Sequence, residues 1–227
     1  MSGISGEWLF ALGRILLINL ILSGDNAVVI AMASRNLEQG QRRRAVLWGS
    51  GGAVVLRIIL TFVAAYFLDL PYFQFAGGLA LLWIGVSLLR KEKEKGGAQD
   101  AASLQEAIKV ILAADLVMSL DNVLALAAIA QTVAAGRLML LGIGLATSIP
   151  LVIAGAQALM ALMDRFPLLV YAGAGVLGYT AAEMILGDKA VGPLAAAYAI
   201  WLKSGLAVLV IVAGHMLRRR KERRPSY

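Results

Sequence analysis

Apolar residues run through this chain in long blocks separated by short polar segments, and most blocks match the thickness of a membrane. Seven blocks fall at approximately 8–34, 45–68, 71–90, 105–132, 138–163, 166–187 and 192–217. Each reaches the ~20 residues that a helix needs to cross the hydrocarbon of a bilayer. Connections between them are short except around 91–103, where Lys-Glu alternation and Gly96-Gly97 read as a solvated linker. The pattern predicts an all-α, polytopic membrane protein with about seven transmembrane helices.

The blocks also repeat. Moving the sequence by 96 residues lays Ser23-Gly24-Asp25-Asn26 on Ser119-Leu120-Asp121-Asn122, with further identities at 11, 15, 16, 20 and 31. Pro71 then falls on Pro167, and Ala76-Gly77 on Ala172-Gly173. Dropping three residues from the second loop pairs Gly49 with Gly142. Each copy holds three spans, so the second copy enters the membrane from the opposite side. Two inverted three-helix repeats plus one extra C-terminal helix are therefore expected, with a binding site near the midplane where the halves meet. The organisation is a first repeat in 1–90, a cytoplasmic linker in 91–103, a second repeat in 104–188, and a seventh helix with a basic tail in 189–227.

Composition agrees with lipid as the solvent: 60% of residues are hydrophobic and 15% charged, against roughly 25% charged in soluble domains. The formal charge of +7 could suggest nucleic acid, but its placement excludes it. Arg35 with Arg42 to Arg44, then Arg90 to Lys95, then Arg218 to Arg224 all fall on one side if every block crosses. The positive-inside rule puts that side in the cytoplasm, giving a multi-pass protein of the cell membrane with its N-terminus outside and C-terminus inside. Met1 to Trp8 carry no Lys or Arg, so no secretory signal peptide is expected. With no cysteine and His215 as the single histidine, thiolate chemistry and multi-histidine metal sites are excluded. No nucleophile-base pair or cofactor motif is visible, so an enzyme is not expected, nor a permanently bound cofactor.

Candidate chemistry lies in the acids inside the apolar blocks. A carboxylate at the bilayer centre costs at least ~2.5–3.5 kcal/mol, so Asp25, Asp115 and Asp121 each need a compensating partner. At about 100° per residue, Asp115, Ser119 and Asn122 share one helix face, and Asn19, Ser23 and Asn26 do the same in the first copy. Asp25 and Asp121 sit one residue to the side. Either the two motif helices pack together and share ligands, or the chain unwinds, for which Ser23-Gly24 is the natural place. Freed carbonyls would add oxygen ligands where they line a cavity. The expected metal ligands are Asp25, Asn26, Asp115, Asp121 and Asn122, with Ser23, Ser119 and Asn19 beside them. Hard oxygen donors favour Mg²⁺, Ca²⁺ or Mn²⁺ over copper or zinc. Met118 is expected to be packing.

Clustered carboxylates in a low dielectric disfavour full ionisation, so metal and proton could compete for the same groups. Arg57 and Glu183 make a reasonable ion pair between the second and sixth spans. Gly49, Gly51, Gly52, Gly142, Gly144, Gly173 and Gly175 are expected to let helices approach closely. Thr147, Ser148 and Pro150 interrupt the fifth span and are candidates for lining a pathway.

At its two motifs the sequence resembles the TerC family of integral membrane proteins, in its YjbE-type branch. The resemblance rests on Asn19 through Ile30, on Asp115 through Ala125, on Trp48-Gly49 and on Arg165 through Tyr171. It implies manganese export from the cytoplasm, or closely related metal handling, within a lysine-exporter-like transporter superfamily, with Asp25, Asn26, Asp115, Asp121 and Asn122 on the family's acidic and amide positions. Many relatives carry Glu where Asn19 stands, so one negative charge is lost here. The expected function is a secondary transporter exporting a divalent metal cation, Mn²⁺ first, with proton exchange as its coupling. The alternatives are an exporter of an amino acid or other small solute, and a non-transporting membrane factor supplying metal to secreted proteins. Expected partners are the metal ion and the lipid bilayer, with a homo-oligomer left open.

Overall fold

The computed structural model describes residues 6–68, 70–90, 100–130, 132 and 136–222, and within these the side chains of all but 19–22, 61–68, 100–102, 120–121, 123–125, 127–128, 130, 137–138, 148 and 220–222. The described residues are almost entirely helical. The helices are α1 (Gly6–Leu22), α2 (Gly24–Ser34), α3 (Gln39–Leu68), α4 (Phe73–Arg90), α5 (Asp100–Ala130), α6 (Arg137–Arg165), α7 (Leu168–Gly187), α8 (Gly192–Ala195) and α9 (Ala199–Glu222), with a short 3₁₀ turn at Ala196–Tyr198. α5 begins at Asp100, within the stretch read as linker.

Four helical stretches among the described residues are long and apolar enough to cross a membrane: Phe73–Arg90, Met139–Arg165, Leu168–Gly187 and Gly192–Arg219. The other three expected spans are helical too. They are the segments that carry the polar motif residues: α1 and α2, divided at Ser23, then α3 with Arg57, and α5 with Asp115 and Asp121. Outward faces are strongly apolar, with Leu194, Ile200 and Trp201 78–82% exposed. A soluble monomer rarely shows such contiguous apolar surface; lipid requires it.

α3 lies along α5, and α6 lies along α1 and α2, while α4 packs on α7 and α7 on α9. A core centred on Ile30, Leu81, Ile111, Ala114, Met118, Ala156 and Leu177 ties these together. Met118 is thus a packing residue. Small residues set the closest contacts. A Cβ at Gly78 would lie 2.7 Å from the Ala181 carbonyl oxygen, and one at Gly178 would lie 2.6 Å from that of Leu206. Gly49, Gly52, Gly173 and Gly175 also face side chains at close range, as expected, whereas Gly51 and Gly142 face open space.

Contacts at the helix ends fix the alternation of direction. At one end Arg42 pairs with Asp164 at 3.1 Å, and Tyr171 bonds His215 at 3.1 Å and Arg218 at 3.2 Å. At the other, Gly136 lies against Trp8, and Asp188 accepts from the backbone N–H groups of Tyr72 and Phe75, both at 3.2 Å. The basic clusters at Arg35 to Arg44 and after Arg218 therefore share an end.

α3 and α6 show matching burial. Positions 45, 46, 49, 50 and 57 are buried in α3, and 140, 141, 144, 145 and 152 in α6, a shift of 95 at which the buried Leu60 falls on the half-buried Gly155. At that shift Gly49 falls on Gly144, two residues from the Gly142 with which the sequence shift pairs it. At the same shift Arg57 falls on Val152, which is also buried.

Candidate intramembrane polar site

Helical geometry brings the second motif together as the sequence spacing requires. Asp115, the sixteenth of the 31 residues of α5, stands halfway along the helix. Asp115, Ser119 and Asn122 share a face that is turned inward, at 5%, 0% and 7% exposure. α5 is continuous through the motif, so no carbonyl is released there. The first motif behaves differently. The chain turns at Ser23 between α1 and α2, yet the Ser23 carbonyl still accepts from the Ala27 N–H at 3.0 Å. The expected unwinding is therefore a one-residue interruption that frees no carbonyl at Ser23.

Asp115 has its compensating partner, and it is Arg57. The Arg57 Nε lies 3.2 and 3.3 Å from the two carboxylate oxygens, and Nη2 also donates to Oδ1. The same Nε lies 2.9 Å from the Ser119 hydroxyl. Both charged side chains are about nineteen-twentieths buried, where an unpaired charge would be strongly disfavoured. The expected pairing of Arg57 with Glu183 is not formed. α3 lies on α5, which brings Arg57 to Asp115, whereas α7 packs between α4 and α9 and turns Glu183 to Lys203 at 2.7 Å.

A small cavity, about 20 Å³, opens beside the ion pair where α2, α3, α5 and α6 meet. That is room for one water-sized particle. Its polar lining is Asn26, Ser50, Arg57 and Asp115, set among Val29, Ile111 and Val152. The Ser50 hydroxyl is buried and has no hydrogen-bond partner among the described residues.

Of the sequence-predicted residues, Asn26 and Asp115 thus line the cavity and Ser119 reaches it through Arg57. Ser23 and Asn122 are buried nearby on their helices and do not line it. Asp25 is half-buried beside it, accepts its neighbour Asn26 N–H at 2.8 Å, and feels the charges of both Arg57 and Asp115. The side chains of Asn19 and Asp121 lie outside the described residues. Among the described residues no three acidic or histidine side chains gather as a metal-ligand set. Thr147 is exposed and bonds the carbonyls of Ile143 and Gly144 in its own helix, so it does not line the cavity; Ile149 does. Ser148 has no described side chain.

Sequence reasoning passed over Ser50 and Asp188. Ser50 precedes Arg57 by seven residues, two helical turns on the same face, which was the available signal. Asp188 ends α7 and accepts from the N–H groups of Tyr72, Phe75, Ala190 and Val191. Its burial would raise its pKa, but these four backbone donors outweigh that and hold the carboxyl below the usual range.

The chain's relatives are membrane proteins. The family model described as "Integral membrane protein TerC family" matches residues 4–225. An uncharacterized membrane protein of Bacillus subtilis, YjbE, is 46% identical over 183 residues, 81% of this chain and 82% of the relative. A second from the same organism, YceF, is 25% identical over 76% of this chain and 69% of its own length. The inner membrane protein YgdQ of Escherichia coli is 29% identical over 52% of this chain and 56% of its own length. No solved structure matches. With its helices faced by apolar side chains and a family match over nearly its whole length, the chain belongs to the TerC family of integral membrane proteins.

Proposed function

We propose that this protein is a secondary transporter exporting a divalent metal cation from the cytoplasm, Mn²⁺ first. The observation that carries the proposal is the cavity shared by α2, α3, α5 and α6. Its donors from Asn26, Ser50 and Asp115 are all hard oxygens, the class that suits Mn²⁺, Mg²⁺ and Ca²⁺. Its size admits one ion or water. Asp25 and Asp121 lie on the helices that enclose it and supply the further negative charge a divalent ion requires.

Seven crossings in two inverted repeats form the frame of this proposal. The packing of α3 on α5 and of α6 on α1 and α2 supports it, because these are the same contact made by each half on the other. So does Gly77, which faces Val117 of α5, while Gly173 faces Val28 of α2. The basic end lies in the cytoplasm of the cell membrane and the N-terminus outside. Export is coupled to protons that compete with the ion for the carboxylates.

Metal flux into or out of liposomes containing the purified protein tests this, comparing Mn²⁺, Mg²⁺, Ca²⁺ and Zn²⁺ for wild type, Asp25→Asn and Asp121→Asn. Mn²⁺ flux that vanishes in the variants supports the proposal; folded protein that moves no metal under any gradient sinks it. Flux indifferent to an imposed pH gradient removes the proton coupling alone.

One observation favours a second reading, an exporter of an amino acid or another small organic anion: Arg57 offers a buried guanidinium for a substrate carboxylate. The cavity is too small for such a solute, and Asp115 already occupies the guanidinium. Growth protection against lysine analogues but not manganese would favour it.

A further inference from the structure

We infer that Arg57 is the resident counter-cation of this site, and that a divalent ion reaches Asp115 only by displacing its guanidinium. The inference rests on the metal-transport proposal above and adds what neutralises Asp115 when no ion does.

Three observations carry it. First, both Asp115 carboxylate oxygens are engaged by Arg57, whose Nε also reaches Ser119. An ion using Asp115 as a ligand must take lone pairs that the guanidinium now holds, and two cations in one low-dielectric pocket repel. Second, the cavity beside the pair carries the buried Ser50 hydroxyl, which has no partner among the described residues. A buried hydroxyl left unmatched is destabilising, so this one points to a water or an ion in the space. Third, the contact of α6 with α1 and α2 carries neither charge at the positions matched to these two. By burial Arg57 corresponds to Val152, and by the motif match Asp115 corresponds to Asn19. Within this one chain the acid and the arginine are present together or absent together.

The consequence is an exchange device. With no ion bound, Arg57 closes on Asp115 and the pair is neutral, so the empty site contains no bare carboxylate at α5. Loading the ion frees the guanidinium, and because Arg57 is on α3 the exchange bears on the α3–α5 contact, where one half packs on the other. Arg57 therefore weakens ion binding at equilibrium and allows release.

Mn²⁺ binding to the purified full-length protein, titrated as the chloride, tests this against Arg57→Gln. The variant should bind Mn²⁺ at least tenfold more tightly than wild type while its flux falls, because the displacing group is gone. Tighter binding with slower turnover is not the result of losing a merely structural ion pair. Affinity equal to or weaker than wild type overturns the inference while leaving the transport proposal standing; wild-type protein that binds no Mn²⁺ overturns both. Should Arg57→Gln fold poorly, Arg57→Ala with added methylguanidinium replaces it. The free cation should restore thermal stability and compete with Mn²⁺, and restored stability with unchanged Mn²⁺ affinity overturns the inference.

Discussion

Two long helix contacts in the molecule, α3 on α5 and α6 on α1 and α2, differ in their chemistry. Where α3 lies on α5, the buried interface contains Arg57, Asp115 and Ser119 joined by hydrogen bonds. Where α6 lies on α1 and α2, the positions matched by the motif shift are Asn19 and Ser23 and the one matched by burial is Val152, without a charge among them. Both contacts hold their helices in one fold with matching burial along α3 and α6. An ion pair is therefore not what helix packing at this position demands. Buried pairs are weak contributors to stability but costly to break, so one retained on only one side of the molecule points to use of the charge.

The largest expected effect breaks that asymmetry. Asp115→Asn alone strands the Arg57 guanidinium and should lower stability by about 3–5 kcal/mol. Arg57→Gln combined with Asp115→Asn, which makes this side as neutral as the other, should cost far less. Unfolding of the purified protein in detergent measures both, and a double-mutant cycle should give a coupling of at least ~2 kcal/mol. Additive losses would mean that the two charges do not depend on each other.

Glycines give the next contrast, between a tight contact and an open face. At Gly178 an added Cβ would meet the Leu206 carbonyl oxygen at 2.6 Å and the Ala207 Cα at 2.7 Å, both backbone atoms that cannot turn aside. Gly178→Ala should therefore push α7 from α9 and cost roughly 1–3 kcal/mol. Gly142, inside α6, has nothing within 4 Å of that position. Gly142→Ala should be neutral or stabilising by about 0.5–1 kcal/mol, the gain of replacing glycine within a helix. Equal effects at the two sites, in the same unfolding assay, would show that α7 and α9 do not approach as described.

The sequence made the helices and the inward face of α5 legible, because length, hydropathy and the period of Asp115, Ser119 and Asn122 are local properties. Partners were less so. Arg57 was visible as a charge needing compensation, but choosing Asp115 over Glu183 requires knowing that α3 neighbours α5 and α7 neighbours α9, a fact of packing that no local pattern contains. Gly78 and Gly178, two glycines against the backbone of a neighbouring helix, looked no different from Gly51 or Gly142. The cavity arises only where four helices meet, so Ser50 had no distinguishing mark beyond its spacing from Arg57.

Asp188 fastens α4 to α7 at one end, a tie that the sequence comparison of the halves did not show. Replacing it with Asn weakens acceptance from four backbone N–H groups and should cost roughly 1–2 kcal/mol at neutral pH. The sign with pH follows from its lowered pKa. The stabilisation is fully present above the unfolded carboxyl value of about 4 and is lost as pH falls through the lower folded value. The contribution of this group to the wild-type acid profile should thus disappear in Asp188→Asn, measured as the difference between the two unfolding curves from neutral pH downward. A constant difference at all pH values would mean that the carboxylate charge plays no part in the clasp.

The smallest expected effect bears most directly on the cavity. Ser50 and Ser119 are both buried hydroxyls beside Arg57, but Ser119 accepts from its Nε at 2.9 Å whereas Ser50 has no partner among the described residues. Ser119→Ala should cost about 1.5–3 kcal/mol, the worth of a hydrogen bond to a charged group. For Ser50→Ala the sign depends on what the cavity holds. If it is dry, removing an unmatched hydroxyl is neutral or slightly stabilising, by less than ~0.5 kcal/mol. If a metal ion binds there, the same change removes one of its ligands, and stability in the presence of Mn²⁺ should fall for Ser50→Ala while stability without metal does not. That metal-dependent difference, small as it is, is the expected result. Its absence would reduce the cavity to a packing defect and leave Asp115 and Arg57 as an ordinary buried pair.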